Sequence, residues 1–133
     1  MKKLYLDIDG VLLTNKNTKA APYGVEFIDS VASKYDCFWL TTHCKDGDTR
    51  MVLDKLSKYY STDTMKKLQT IKPTKWDTLK TEAIDFGSDF YWIDDYVFEA
   101  EKKILKQRNC IDKLFLVDLN KEKELLNTLL KFP

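Results

Sequence analysis

Four aspartates stand in two pairs, and each pair follows a short apolar run. Asp7 and Asp9 come after the first such run, and Asp94 and Asp95 come directly after Phe90–Ile93. Clustered carboxylates repel one another unless a cation lies among them. Mg²⁺ binds carboxylates, water and substrate phosphate in proteins. If folding brings the two pairs together, the sequence predicts a Mg²⁺ site with these four aspartates as candidate ligands.

Threonine hydroxyls and a lysine also lie at the ends of predicted strands or helices. Thr41 and Thr42 follow the apolar run Cys37–Leu40, and Lys75 lies in the first turn of a predicted helix. The four carboxylates carry more negative charge than one Mg²⁺ and one lysine neutralise. The remaining negative charge is relieved if Asp9 holds a proton, which is what a general acid needs.

Bulk composition describes an ordinary globular domain. The 133 residues, 44% of them hydrophobic, fit a single domain spanning 1–133 with a sizeable core. A net charge of +1 provides no overall attraction to nucleic acid or to anionic membranes. No stretch resembles a membrane span or a signal peptide. The odd count of three cysteines argues against a disulfide framework, so we expect a cytoplasmic protein with free thiols.

Short β-type runs alternate with helical patterns along the chain, which predicts an α/β fold with a parallel sheet of about five strands and helices on both faces. The predicted strands are Lys3–Ile8, Cys37–Leu40, a weaker Leu68–Ile71, Phe90–Ile93 and Leu114–Val117. The predicted helices begin after Gly24, after Asp46 or Asp48, and at Thr74, the last of these running to about Asp85; two more cover Val97–Gln107 and Lys121–Lys131. Val11–Ala21 is expected to form a small hairpin or flap.

Ligands of parallel α/β sheets bind at the carboxyl ends of the strands. The aspartate pairs and the threonines stand just past three predicted strands, and Lys75 lies in the first turn of the helix that enters the fourth. All of them are therefore expected at one edge of the sheet.

This ordered set resembles the haloacid-dehalogenase superfamily of phosphohydrolases. The residues that carry the resemblance are LYLDIDGVL from Leu4, FWLT ending at Thr41, a lysine, and YWIDD ending at Asp95. The resemblance implies a Rossmann-like domain and a Mg²⁺-dependent phosphatase that forms an aspartyl-phosphate. The WIDD and DGVL segments also look like small phosphatase-like domains associated with RNA repair proteins.

The resemblance also implies roles for individual residues. Asp7 would be the nucleophile, and Asp9 would protonate the leaving oxygen, activate water and offer its backbone carbonyl to the metal. Thr41, or its neighbour Thr42, would bind the phosphoryl group. Lys75 would neutralise Asp7 and the phosphate.

Two assignments stay open. Lys72 or Lys80 could replace Lys75 as the motif lysine. Asp95 is the preferred direct metal ligand, with Asp94 in support, although the two could exchange roles.

No segment offers room for the cap domain that many family members carry, because the residues from His43 to Thr74 are taken up by a helix and a short strand. A cap-less enzyme favours a large phosphorylated substrate, such as a nucleic-acid end or a protein. Lys45, Arg50, Lys72 and Lys75 could contact its phosphates.

Two rival functions are weighed against the phosphatase. A response-regulator receiver expects its phosphoacceptor after the third strand, whereas here the DxD follows the first strand and the acid pair follows the fourth. A catalytically retired binding or scaffold module would fit the same fold, but every motif acid is present.

Overall fold

Four parallel strands form the centre of the protein, which is described here by a computed structural model for residues 1–14 and 19–132. The strands are β1 (Lys3–Leu6), β2 (Asp36–Trp39), β3 (Phe90–Asp94) and β4 (Leu114–Leu116). Their order across the sheet is β2-β1-β3-β4, and every pairing is parallel. The predicted α/β class and parallel sheet are confirmed. Both middle strands end at an aspartate pair.

Successive side chains of β1 point to opposite faces of the sheet and therefore belong to two different core clusters. Leu4 and Leu6 belong to one buried cluster, whereas Tyr5 belongs to the other. Every residue of β3 is buried, as expected for a central parallel strand covered on both faces.

Helices cover both faces, as predicted. They are α1 (Gly24–Ala32), α2 (Arg50–Ser57), α3 (Thr62–Leu68), α4 (Glu99–Gln107) and α5 (Glu124–Lys131), with short 3₁₀ turns at Lys80–Ala83 and Ile111–Lys113. Buried side chains of α1, α2, α3 and α5 pack with Leu4 and Leu6. Leu105 of α4 and Ile84 beside the first 3₁₀ turn pack with Tyr5 on the opposite face.

The predicted strand Leu68–Ile71 is wrong. Leu68 is the last residue of α3, and the only strand-like contact in this part of the described chain is a parallel bridge between Phe38 and Lys72. Lys72 donates its N–H to the Cys37 carbonyl at 3.0 Å and accepts from the Trp39 N–H at 2.8 Å. Among the described residues the sheet therefore has four strands rather than about five.

The helix predicted from Thr74 to Asp85 is also wrong, since only Lys80–Ala83 forms a helical turn. Thr74 does not cap a helix, because its hydroxyl donates to the Trp39 carbonyl at 2.6 Å. The next residues bond to the loop after β2: Trp76 N–H donates to the Lys45 carbonyl at 2.9 Å. These long-range hydrogen bonds thus hold this stretch in an extended conformation rather than a helix.

The loop after β1 contains a tight turn that positions Asp9. Gly10 has a φ of 78°, a conformation that favours glycine. The N–H groups of Val11, Leu12 and Leu13 all point to the Ile8 carbonyl at 2.9 to 3.1 Å. Leu13 then pairs antiparallel with Ala20, which agrees with the small hairpin expected for Val11–Ala21; residues 15–18 lie outside the described part of the chain.

The segment between the second motif and Thr74 contains two helices, α2 and α3, rather than a helix and a strand. Val52, Leu56, Met65 and Leu68 from these helices are buried in the core cluster around Leu4 and Leu6. This segment is therefore part of the domain core and does not form a separate cap.

The three cysteines, Cys37, Cys44 and Cys110, are buried free thiols, as the odd count predicted. Within residues 1–14 and 19–132, none of the helices combines the length and the apolar character needed to cross a membrane.

Candidate active site

The carboxyl ends of β1 and β3 meet at a cavity of about 250 Å³. Its lining is rich in acids and aromatic rings: Asp7, Asp9, Thr42, Trp76, Lys80, Asp94, Asp95, Tyr96, Phe98 and Glu101. The parallel register places Leu6 of β1 beside Ile93 of β3, so the residues that follow them emerge together. All four predicted aspartates are brought to one site, as the sequence analysis expected.

Asp94 is buried beneath the site and accepts hydrogen bonds from three neighbouring groups. It is fully buried, and its Oδ1 accepts the backbone N–H groups of Asp95 at 2.8 Å and of Tyr96 at 3.2 Å. Its Oδ2 accepts a hydrogen bond from Lys80 Nζ at 2.7 Å. Because these three bonds occupy most of its lone pairs, Asp94 is better suited to holding its neighbours than to binding a metal directly. Asp95 is only partly buried and stays more open.

Lys80 is the lysine that lies beside the predicted nucleophile. Its Nζ is 2.7 Å from Asp94 Oδ2 and 3.6 Å from Asp7 Oδ2, and its side chain is 12% exposed. Although burial alone would lower the pKa of Lys80, the charges of Asp7 and Asp94 outweigh it and raise that pKa above its ordinary value. Lys80 therefore stays a cation at neutral pH.

The preferred choice of Lys75 is not supported by its position. Lys75 is exposed and pairs through its backbone with Asp46, and its side-chain carbons lie against Gly47. The other alternative, Lys72, points to the opposite end of the sheet, where its Nζ is 2.9 Å from Asp36 Oδ1. The predicted helix that would have directed Lys75 towards the acids does not form.

Two carboxyls of the site resist ionisation. Burial, together with the nearby charge of Asp94, raises the pKa of Asp7 well above its usual range, even though Lys80 opposes the shift. Burial and the hydrogen bond and charge of Asp94 raise the pKa of Asp95 to about 6. Burial is therefore the main reason that Asp7 and Asp95 hold their protons more tightly, and the nearby charge of Asp94 adds to it.

Asp9 has the opposite environment, which the sequence analysis missed. Its Oδ2 lies 2.8 Å from His43 Nε2, and its Oδ1 lies 3.0 Å from Lys55 Nζ. Burial raises the pKa of Asp9, but the hydrogen bonds of His43 and Lys55 outweigh it and leave that pKa below the ordinary value. The lowered pKa favours the ionised form of Asp9 and gives no support to the expectation that Asp9 stores a proton. Lys55 reaches Asp9 from α2, 46 residues away in sequence, so no local pattern indicated it.

The two threonines are placed differently from each other. Thr41 is fully buried, and its Oγ1 accepts the His43 N–H at 3.3 Å. Thr42 is exposed and lines the cavity. Of the two candidate phosphate contacts, Thr42 is the one that reaches the cavity, whereas Thr41 shapes the loop that carries His43.

Glu101 supports the site through the backbone. This glutamate is 1% exposed, and its two carboxylate oxygens accept the N–H of Lys80 at 2.8 Å and of Phe98 at 2.9 Å. It ties the first residue of the 3₁₀ turn to the start of α4. A glutamate in the first turn of a helix was the only available sequence signal for it.

The donor set fits a hard divalent cation. Asp7, Asp94 and Asp95 each offer a carboxylate oxygen, and these atoms all lie within 4.8 Å of one another. Oxygen-only ligands of this kind suit Mg²⁺ better than a softer metal. The carboxylate of Asp9 is not among these atoms and is engaged by His43 and Lys55, whereas the metal contact expected from the Asp9 backbone carbonyl stays a prediction.

Comparisons of the chain with known protein families, with curated proteins and with solved structures found no match.

Proposed function

We propose that this protein is a Mg²⁺-dependent phosphoester hydrolase of the haloacid-dehalogenase type, which acts through an aspartyl-phosphate on Asp7. The observation that supports it best is the contact of Lys80 Nζ with Asp94 at 2.7 Å and Asp7 at 3.6 Å, inside a group of three carboxylates. A lysine held near the predicted nucleophile, at the carboxyl ends of parallel strands, suits phosphoryl transfer, in which catalysis is mostly positioning and charge stabilisation.

In the first step, an oxygen of the Asp7 carboxylate attacks phosphorus. A bond forms between that oxygen and phosphorus, the bond from phosphorus to the ester oxygen breaks, and the leaving oxygen takes a proton from Asp9. Lys80 stabilises the charge on the transferring phosphoryl group by its proximity to Asp7. In the second step, water attacks the phosphorus of the acyl phosphate, Asp9 accepts its proton, and the Asp7 carboxylate is released.

The lowered pKa of Asp9 helps the second of these steps and hinders the first. A low pKa favours the carboxylate, which is the form that removes a proton from water. Protonation of the leaving group is then the harder task, so good leaving groups are expected to react fastest. His43 and Lys55 hold Asp9 in place for both steps.

Asp7 and Asp95 would hold Mg²⁺, with Asp94 in support, and the positive ion would oppose the burial and the charge of Asp94 that raise the pKa values of Asp7 and Asp95. When bound, the cation provides electrostatic stabilisation of the transferring phosphoryl group.

The biological substrate is proposed to be a large phosphorylated molecule, such as a nucleic-acid end. No described segment covers the cavity as a separate cap, since α2 and α3 are packed into the core. Lys45 and Lys75 remain as exposed cations for phosphate contacts. Two others are less suited: Arg50 pairs with Asp48 at 2.6 Å, and Lys72 lies at the far end of the sheet. For such a substrate, activity should fall steeply with salt through counterion release.

The test is Mg²⁺-dependent hydrolysis of an activated aryl phosphate by the wild-type protein and by Asp7→Asn. We expect phosphate release by the wild type with Mg²⁺, and less than a few per cent of that rate for the variant. Asp36→Asn, which removes a carboxylate at the opposite end of the sheet, is the matched control and should stay active. An inactive wild type would favour the retired binding module, and an active Asp7→Asn would show that another group is the nucleophile.

A further inference from the structure

Two exposed aromatic rings stand at the mouth of the acidic cavity. Tyr96 is 66% exposed and Phe98 is 53% exposed, and both line the cavity together with the carboxylate cluster. Their ring centroids are 5.7 Å apart at an interplanar angle of 87°, so one ring presents its edge to the face of the other. Large apolar rings are normally buried, so a pair left open beside charged groups suggests a binding surface.

The backbone of this pair is fixed by buried carboxylates rather than left loose. Tyr96 donates its N–H to Asp94 Oδ1 at 3.2 Å, and Phe98 donates its N–H to Glu101 Oε1 at 2.9 Å. The rings are therefore carried by the same two acids that hold Lys80 in place. These shared hydrogen bonds fix the backbone of the two aromatic residues relative to the predicted nucleophile.

A third aromatic ring belongs to the same cavity. Trp76 also lines it, and Lys45 Nζ lies 4.6 Å from the centre of the Trp76 ring. We name Trp76, Tyr96 and Phe98 the aromatic rim. Lys80 contacts Asp7 and Asp94 in this cavity, and Asp9 and Asp95 line it as well, whereas the three side chains of the rim carry no charge of their own. A substrate group that binds the rim should therefore be flat and neutral.

We propose that the aromatic rim binds a nucleobase-type ring on the organic part of the phosphate ester, so that the phosphatase acts on a nucleotide unit. This inference rests on the proposed function and adds the chemical class of the substrate. The cavity of about 250 Å³ is smaller than the roughly 300–1,000 Å³ of most small-molecule pockets, so the rest of a larger substrate would lie outside it. Stacking on aromatic side chains is tolerant of base identity, because every base has a π-face.

The experiment compares adenosine 5′-monophosphate with ribose 5-phosphate, which share the same primary ester and differ by the base. Turnover is measured as kcat/KM for phosphate release with Mg²⁺, and affinity is measured in parallel by titration calorimetry. We expect the base to improve both quantities about tenfold, which corresponds to about 1.4 kcal/mol of stacking at 25 °C.

The variant Tyr96→Leu/Phe98→Leu tests the rim while keeping apolar side chains of ordinary size. In this variant, the kcat/KM values of the two substrates, and likewise their affinities, should differ by no more than about twofold, because one to two stacking contacts are lost. Tyr23→Leu is the matched control, because Tyr23 is a partly exposed tyrosine that does not line the cavity. That control should keep the full preference for the base.

The outcomes separate this inference from the proposed function. If both phosphates are hydrolysed equally well by the wild type, the inference is wrong while the phosphatase stands. If neither is hydrolysed but only the nucleotide binds, and the double variant loses that binding, the rim is supported while phosphatase activity is not. Equal or absent binding of both compounds would overturn the inference regardless of turnover, as would an unchanged preference in the double variant.

Discussion

Replacing Asp95 with asparagine should stabilise the protein without Mg²⁺ and remove the stabilisation that Mg²⁺ provides. Burial and Asp94 raise the pKa of Asp95 from 3.8 to about 6. The folded state thus binds the Asp95 proton more tightly than the unfolded chain does. Between these two pKa values the folded state carries more protons, so the free energy of unfolding falls as pH rises through this window. Asparagine never ionises and avoids this loss.

The magnitude follows from the pKa difference and from the exposure of Asp95. A shift of about two units corresponds to at most about 3 kcal/mol. Because Asp95 is only partly buried, solvent screening reduces this to about 1 kcal/mol. For a chain of this length, about 1 kcal/mol moves the melting temperature by about 4 °C. Asp95→Asn should therefore melt about 4 °C higher than wild type at pH 7.5 in EDTA, and at nearly the same temperature close to pH 4.

Magnesium should reverse this order at pH 7.5. A ligand that binds only the folded state stabilises it by mass action, so the wild type should gain several degrees in millimolar MgCl₂. The variant lacks one of the three grouped carboxylates and should gain little. The assay is thermal unfolding followed by far-ultraviolet circular dichroism at both pH values, with EDTA or MgCl₂.

Asp112→Asn serves as the control, since it removes one negative charge from an exposed position outside the cavity. It should respond to Mg²⁺ as the wild type does. The reasoning is refuted if Asp95→Asn melts below the wild type in EDTA at pH 7.5. It is also refuted if Mg²⁺ raises the melting temperature of both proteins equally, which would mean that the cation binds elsewhere.

Three further predictions concern neighbouring groups. Lys80→Met should lower kcat on an aryl phosphate by about a hundredfold or more, whereas Lys75→Met should stay within about threefold of wild type; comparable losses would contradict the lysine assignment. Asp9→Asn should slow alkyl phosphates more than activated aryl phosphates in steady-state assays, and equal losses would count against an acid role. Glu101→Gln should lower the free energy of unfolding in urea by about 1–3 kcal/mol, because one buried N–H loses its acceptor; an unchanged midpoint would contradict this.

Local sequence determined the two strands that carry the acids, β1 and β3, and their polar ends. Apolar runs followed by acids placed β1 and β3 correctly, and parallel pairing then brought Asp7, Asp94 and Asp95 together. This worked because strand patterns depend on neighbours along the chain, and because every parallel strand presents its carboxyl end at the same edge of the sheet. The order of the acids along the chain was therefore sufficient to predict the cluster.

Long-range contacts decided which basic and supporting groups complete the site. Thr74 bonds to the Trp39 carbonyl instead of capping a helix, so Lys75 stays exposed and Lys80 reaches the acids from a short 3₁₀ turn. Lys55 of α2 meets Asp9 only because that helix packs on the sheet. Such contacts depend on how the elements pack against one another, which periodicity and local propensity do not specify. The chain by itself thus determined where the acids gather, and the tertiary structure decided which cations they meet and which of them resist losing a proton.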